Sequence, residues 1–265
     1  MPDEATFRLL LFAAVLLVMA LWELAAPRRP LLAGRRQRWP ANLSLVAVNT
    51  IVARFLLPVL PVGLAVMVEE RGTGLLQALT LPFWLKLTLA LVLLDLIIYL
   101  QHVLFHYLPL LWRLHRVHHT DLDIDVTTGN RFHPLEIVIS MLIKLAAVAL
   151  LGAPALAVVI FEAVLNAAAQ FNHGNVSIPL QLDRWLRLLV VTPDMHRVHH
   201  SIIPRETNSN FGFNIPLWDR LFGTYRPQPE LGHAGMTIGL KEYRDPAQLT
   251  LPRLLIQPFV SSAGS

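Results

Sequence analysis

The chain has 265 residues, 54% of them hydrophobic and only 15% charged, with a mean hydropathy of +0.51. A soluble domain carries roughly 25% charged residues, so this composition excludes a disordered chain and argues against a purely soluble globule. Zero cysteines exclude a disulfide scaffold, a thiolate metal site and a cysteine nucleophile, while eleven histidines leave imidazole as the available metal ligand.

The chain opens MPDEATFRLL, with no basic flank, and no small-residue cleavage site follows its first apolar run. Phe7 to Ala26 is therefore expected to be a retained membrane helix of roughly 30 Å, not a signal peptide. The linker PRRPLLAGRRQRWP follows, with Arg28, Arg29, Arg35, Arg36 and Arg38. Asn42 to Val68 reads as a second span, interrupted by Pro58 and Pro61 and carrying Arg54. Phe83 to Phe105 is a third, roughly 35 Å long as a helix. Pro134 to Phe171 is too long for one crossing, and Gly152-Ala153-Pro154 divides it into halves of roughly 27 Å. Either a spanning hairpin or a deep re-entrant one satisfies that pattern. Leu182 to Val191 (LDRWLRLLVV) reads as a short amphipathic helix on the membrane surface, with Trp185 as its anchor. From Ile203 the chain is rich in Pro, Gly and Asn and is expected to wrap the rest as irregular structure.

The expected fold is all-α: about four to five membrane spans or re-entrant segments, with a histidine-rich helical cap on the cytoplasmic face. The orientation follows from charge. The five-arginine linker belongs inside by the positive-inside rule, because the next loop offers only Glu69, Glu70 and Arg71 and the hairpin tip has no charge. The inner end of the third span, residues 106–133, and everything after residue 172 then share the cytoplasmic face. The isoelectric point of 9.8 reads as an arginine-rich surface facing anionic headgroups. No basic recognition motif points to nucleic acid.

Eight of the eleven histidines stand in three groups: His102 and His106 as HxxxH, then His115, His118 and His119 in HRVHH, then His196, His199 and His200 in a second HRVHH. On a helix, positions i, i+3 and i+4 share a face, so each group is expected to offer its imidazoles to a common point. Eight imidazoles exceed one octahedron and suit two borderline metal ions such as iron or zinc. Taken singly, a histidine near a membrane surface is an ordinary hydrogen-bonded interfacial residue. Three clusters on one face are different, since their desolvation is costly without a partner.

The run DLIIYLQHVLFH, the two HRVHH motifs, NSNFG and WDRLFGTY together resemble the fatty acid hydroxylase/sterol desaturase superfamily. The resemblance covers about residues 83–226 and implies a membrane-embedded, non-haem di-iron centre that uses O₂ on lipids. It divides the chain into membrane segments at 1–82, a histidine-box catalytic region at 83–226 and a tail at 227–265. It implies that the eight box histidines ligate the two iron ions, with His173 in QFNHGN as a ninth. The histidine that some members carry one turn earlier is Ala169 here. That position is expected to be filled by water held by Asn166, Gln170 or Asn172.

Other polar residues are expected to support the ligands. Asp95 lies on the face of His102, roughly 10 Å deeper. An ionised group there costs at least ~2.5 kcal/mol near the bilayer centre, so it requires a partner. The family pattern pairs it with Tyr99. Asp95 reads either as support for the metal site or as a helix-joining residue. Asp194 is a further orienting candidate, and His133 in RFHP reads as a ligand or a neighbour of one. Asp121, Asp123, Asp125 and Asp219 each read as a cap or surface charge, and His233 as structural. Lys86, Lys144, Glu162 and Arg54 read as snorkelling or paired residues.

The reaction implied is O₂-dependent hydroxylation or desaturation of an unactivated lipid C–H bond. The chain has no GxGxxG, haem-attachment motif or iron–sulfur cysteines, so electrons must come from a separate protein, such as ferredoxin or a cytochrome with its reductase. Zinc can replace iron in a purified sample. The competing readings are a membrane metal transporter and a zinc-dependent hydrolase, although HExxH is absent.

Overall fold

The computed structural model describes residues 4–260. In chain order these form α1 (Glu4–Ala25), α2 (Arg35–Leu56), α3 (Pro61–Arg71), α4 (Leu75–Ala78), α5 (Phe83–Tyr107), α6 (Pro109–His119), α7 (Pro134–Leu151) and α8 (Ala155–Asn172). The remaining helices are short: α9 (Leu180–Leu186), α10 (Pro193–His199), α11 (Pro204–Thr207), α12 (Leu217–Leu221), α13 (Gly232–Gly235) and α14 (Leu251–Ile256). Among the described residues there is no strand, only the isolated antiparallel bridges Pro27–Val176 and Ser201–Ile238. The fold is all-α.

Five segments are long and apolar enough to cross a membrane: Thr6–Ala25, Arg35–Ala78, Phe83–Tyr107, Pro134–Leu151 and Ala155–Asn172. They make this an integral membrane protein. Their outward faces carry the large apolar side chains, with Phe55 85% and Leu150 75% exposed, which only a lipid solvent tolerates over so wide a surface. Inside, α3, α5, α7 and α8 meet around Ala65, Ala90, Leu94, Val148, Ala157 and Phe161. The alanines let the backbones approach closely, the usual basis of helix packing in lipid. Glu162 within this layer takes Lys144 at 2.8 Å and Arg8 at 2.5 Å, so its charge is met by two cations.

The hairpin of α7 and α8 runs the whole height of the bundle. Its tip, Gly152, presses against Gly74 in the turn beyond α3. A Cβ on Gly74 would lie 2.4 Å from the Gly152 Cα, and both glycines have positive φ (+96° and +64°). Gln77 donates to the Gly152 carbonyl at 2.9 Å, and the Ala155 amide donates to Glu69 at 3.0 Å. The tip therefore stands level with the Glu69–Gly74 turn.

At the opposite end, α6, α9 to α14 and the loop 120–131 build a cap over the bundle. Four local expectations change here. The arginine linker does not face lipid headgroups: α2 begins at Arg35, and Arg38 is fully buried. Arg38 contacts Asp121 at 2.5 Å and Asp125 at 2.7 Å, Arg28 reaches Asp194 at 3.0 Å, Arg29 donates to the Met236 carbonyl at 2.8 Å, and Arg35 lies 3.4 Å from Glu23. Of the five linker arginines only Arg36 is fully exposed. Buried carboxylates and carbonyls in the cap require these cations. For the same reason Asp121, Asp123 and Asp125 are buried hydrogen-bond acceptors, not surface charges. Burial pushes the Asp121 carboxyl upward, but the Arg38 charge and hydrogen bonds, aided by Arg131, more than offset this and leave it below the usual range.

The surface helix α9 starts earlier and stops sooner than Leu182 to Val191. After Leu186 the chain tightens, with the Leu189 amide bonding to Leu186 at 2.9 Å. The tail is not irregular throughout. Its α14 returns to α2 and α6, where Leu254 packs with Ala41, Leu45 and Val117.

Candidate metal centre

The α5–α6 corner, the end of α8 and the α10 segment bring nine imidazoles together at the cap end of the bundle. They fall into two groups: His102, His106, His115, His119 and His199 in one, and His118, His173, His196 and His200 in the other. Within each group the candidate ligand atoms all lie within 4.8 Å of one another, and every one of the nine residues is buried. The two HRVHH motifs divide in mirror fashion. His115 and His119, one turn apart on α6, join the first group, while His118 joins the second. On the α10 segment His196 and His200 join the second group and His199 crosses to the first. Each motif therefore serves both groups, contrary to the expectation of one point per motif.

Four of the five residues of the first group are oriented by oxygen acceptors on their outer nitrogens. The Nδ1 of His102 lies 2.8 Å from the Phe211 carbonyl, that of His106 3.2 Å from Asn208 Oδ1, that of His115 2.6 Å from Glu136 Oε1, and that of His199 2.7 Å from the Ser209 carbonyl. An Nδ1–H that donates to a carbonyl leaves its Nε2 as a bare lone pair, the arrangement that metal-bound imidazoles favour. The Nε2 atoms of His106, His115, His119 and His199 are indeed buried without any partner. Buried lone pairs pointed at one place are what a cation would satisfy.

The second group is held differently. His173 Nδ1 donates to the Ala169 carbonyl at 2.7 Å, and its Nε2 stands 3.1 Å from Nε2 of both His118 and His196. For metal–nitrogen bonds of about 2.1 Å, neighbouring ligands of an octahedron lie about 3.0 Å apart. His118 also stacks on Phe132, with ring centroids 4.5 Å apart and planes 9° from parallel. Gly129 makes room for the loop here, since a Cβ there would sit 2.2 Å from the Ala169 carbonyl oxygen. The residues of both groups fit metal ions.

Burial keeps these imidazoles neutral. It pushes His115 and His173 down to about 3, and it holds His118, His119, His196, His199 and His200 well below the ordinary value, with neighbouring histidines adding to the effect. A neutral imidazole is the form that binds metal.

The supporting residues lie where the chain wraps. Asp95 accepts from Asn214 at 2.7 Å and from Trp218 Nε1 at 2.8 Å, so it ties the 211–218 segment to α5 and touches no imidazole. Tyr99 meets Thr224 Oγ1 at 2.9 Å, and Thr224 donates to Asp219 at 2.7 Å. Asp219 in turn accepts from the Phe211 and Gly212 amides, both at 2.8 Å. It is a clamp on the strip that orients His102, not a surface charge. Asp194 pairs with Arg28 and Arg197 and stands 3.5 Å from His233. His133 caps α7 through Leu135 and meets the Leu255 carbonyl at 3.2 Å, outside both groups. Gln170 donates to Asn166 at 3.0 Å and Asn172 to the Phe213 carbonyl at 3.0 Å; the buried Gln170 Oε1 and Asn172 Oδ1 have no partner.

Sequence reasoning missed Glu136, Asn208 and the Ser209 and Phe211 carbonyls. The last three lie in the NSNFG motif, and Glu136 shows in the sequence as a lone acid in the first turn of an apolar helix. Glu136→Gln is expected to weaken metal binding by roughly 10–100-fold, the usual effect of losing such a contact. Chelator competition measures it, and unchanged affinity would mean that Glu136 does not orient His115.

A model of the fatty acid hydroxylase family matches residues 87–224. An ornithine lipid hydroxylase from Rhizobium tropici is 32% identical over 161 residues, covering 59% of this chain and 47% of that protein. Alkylglycerol monooxygenases from Xenopus tropicalis and Homo sapiens are 27% and 29% identical over 60% and 52% of the chain, which is 34% and 30% of their own lengths. The chain thus spans less than half the length of these curated relatives. No solved structure matches. With the family model matching more than half of the chain, including both HRVHH motifs, the chain belongs to the fatty acid hydroxylase family.

Proposed function

We propose that the protein is a membrane-bound di-iron oxygenase that uses O₂ and electrons from a separate carrier to hydroxylate or desaturate a C–H bond of a lipid. The observation that carries this reading is the pair of buried imidazole groups at one end of an apolar helix bundle. His102, His106, His115, His119 and His199 would hold one ion, and His118, His173, His196 and His200 the other. When bound, such ions supply the reduction of O₂ and the hydrogen abstraction that no side chain here can perform.

The chain's own contribution is positioning. Burial keeps the imidazoles neutral, and the carbonyls of Ser209 and Phe211 fix their orientation. Phe213 packs against the intramembrane core, and its ring lies 6.3 Å from His102, 6.3 Å from His196 and 6.4 Å from His173. The names of the relatives favour hydroxylation over desaturation. Both imidazole groups sit at the cap end of the bundle, which supports an enzyme over a transporter with ligands at mid-depth.

The test is oxygen uptake with ¹⁸O₂ on the purified protein, a membrane lipid extract and ferredoxin with its reductase. Label from O₂ is expected in the lipid only when the donor is present. Label from water would sink the reading in favour of a hydrolase or hydratase.

The imidazole end is assigned to the cytoplasmic face on charge, since the arginine-rich linker lies there and Glu69, Glu70 and Arg71 lie at the other end. Because the chain has no cysteine, Glu69→Cys and Gly232→Cys are clean reporters. An impermeant maleimide applied to intact cells is expected to label position 69 and spare position 232. Labelling of both, or the reverse pattern, overturns the orientation.

A further inference from the structure

A cavity of about 600 Å³ lies between α9 and residues 220–228, apart from both imidazole groups. Its lining includes Asp183, Arg184, Trp185, Arg187, Arg220 and Tyr225. The charges are unequally used. Asp183 and Arg187 form a buried ion pair one helical turn apart, and Arg187 also donates to the Pro227 carbonyl at 2.8 Å. That pair is internally neutral. Arg220 lies over the Tyr225 ring at 4.1 Å and donates one N–H to the Arg187 carbonyl at 3.0 Å. A guanidinium has five N–H donors, so this anchoring holds the group in place with donors to spare. Arg184 is exposed and makes no hydrogen bond or ion pair among the described residues. Two guanidinium groups without a carboxylate at ion-pair distance thus line one open cavity.

The rim decides what kind of anion belongs there. Leu180, Trp185 and Leu188 stand exposed in the lining itself, with Trp185 at 66%, and the same stretches of chain carry the exposed Leu189, Leu221 and Phe222. A soluble anion gives no reason for such an apolar rim. A lipid does, because acyl chains lie along the leucines while the arginines reach the headgroup. The place agrees. α9 begins seven residues after His173, at the cap end of the bundle where the headgroup layer meets α8.

We propose that this cavity is a binding site for the phosphate of an anionic membrane phospholipid, held by Arg184 and Arg220. Arginine suits the task because its planar fork matches two phosphate oxygens at once. The readout is lipid binding, so the proposal stands or falls apart from the oxygenase reading.

The experiment uses the full chain in neutral detergent and short-chain fluorescent phosphatidylglycerol, with phosphatidylcholine and inorganic phosphate as comparison probes. The unaltered protein is expected to bind phosphatidylglycerol at least about tenfold more tightly than phosphatidylcholine. Arg184→Gln is expected to weaken phosphatidylglycerol binding about fivefold, and Arg184→Gln with Arg220→Gln about 25-fold, two surface cations at roughly fivefold each. The Arg184 side chain is exposed and makes no hydrogen bond or ion pair among the described residues, so the single variant keeps the test decisive if the double variant folds poorly. Phosphatidylglycerol binding unchanged in the Arg184 variant overturns the proposal. Inorganic phosphate that displaces the lipid with equal affinity also overturns it, since the site would then take a soluble anion.

Discussion

Replacing His118 or His199 with alanine is expected to reduce turnover at least a hundredfold, close to background. The two residues serve different groups, yet either loss should silence the whole centre. On the proposed reading, oxygen chemistry shared between two ions would fail if either were misplaced, since groups that act as a unit are grossly non-additive on mutation. The double variant should accordingly be no worse than either single one. Metal content separates the two cases. His118→Ala takes the four-imidazole group down to three, so on the proposed two-iron reading it should lose close to one iron per chain on dialysis. His199→Ala leaves four in its group and should keep more. Oxygen uptake and iron assay on matched preparations check this. Substantial turnover in either variant would remove that histidine from the centre.

Arg38→Met is expected to lower stability by about 3–5 kcal/mol, the usual cost of leaving a buried charge without its partner. The guanidinium and both carboxylates that it meets have no exposed side-chain surface. It also donates to the Asp123 carbonyl at 3.2 Å and to Thr128 at 3.0 Å. Its removal would leave Asp121 without its main partner in the loop that follows His118 and His119. Arg38→Lys keeps the charge but not the fork, so an intermediate loss is expected. Unfolding midpoints in detergent for the three proteins check the order. A Met variant as stable as the parent would mean that the aspartates find other partners.

Much of this was legible before the structure. The apolar runs gave the crossing helices, and Gly152-Ala153-Pro154 marked the hairpin tip, because a left-handed glycine followed shortly by proline ends a helix. The box histidines announced themselves by spacing, and His173 came from family resemblance. The division of the motifs between two groups was not legible from the shared-face rule. Residues 118 and 119 are neighbours in sequence, yet about 100° apart around a helix of 3.6 residues per turn. They stand on the two flanks of the face that 115 occupies, and only the partner helices decide where each flank points. Asp95 illustrates a second limit. Its partners Asn214 and Trp218 lie more than a hundred residues away, and local pattern cannot name them. The buried arginines show a third. Composition alone puts five arginines at a membrane surface, while the groups that draw four of them inward are scattered along the chain: Asp121 and Asp125 for Arg38, Asp194 for Arg28, the Met236 carbonyl for Arg29 and Glu23 for Arg35.

The carbonyl strip at Ser209 and Phe211 has a consequence for how the protein is made. His102 and His106 leave the ribosome on α5, but the groups that orient them follow roughly a hundred residues later, on the order of 5–20 s at ordinary synthesis rates. His199 arrives in the same late stretch. Throughout that interval the early imidazoles stand in the membrane without their fifth member and without their acceptors. The five-imidazole group is thus completed only after α5, α7 and α8 have all been synthesised, and before the α14 segment that packs on α2 and α6.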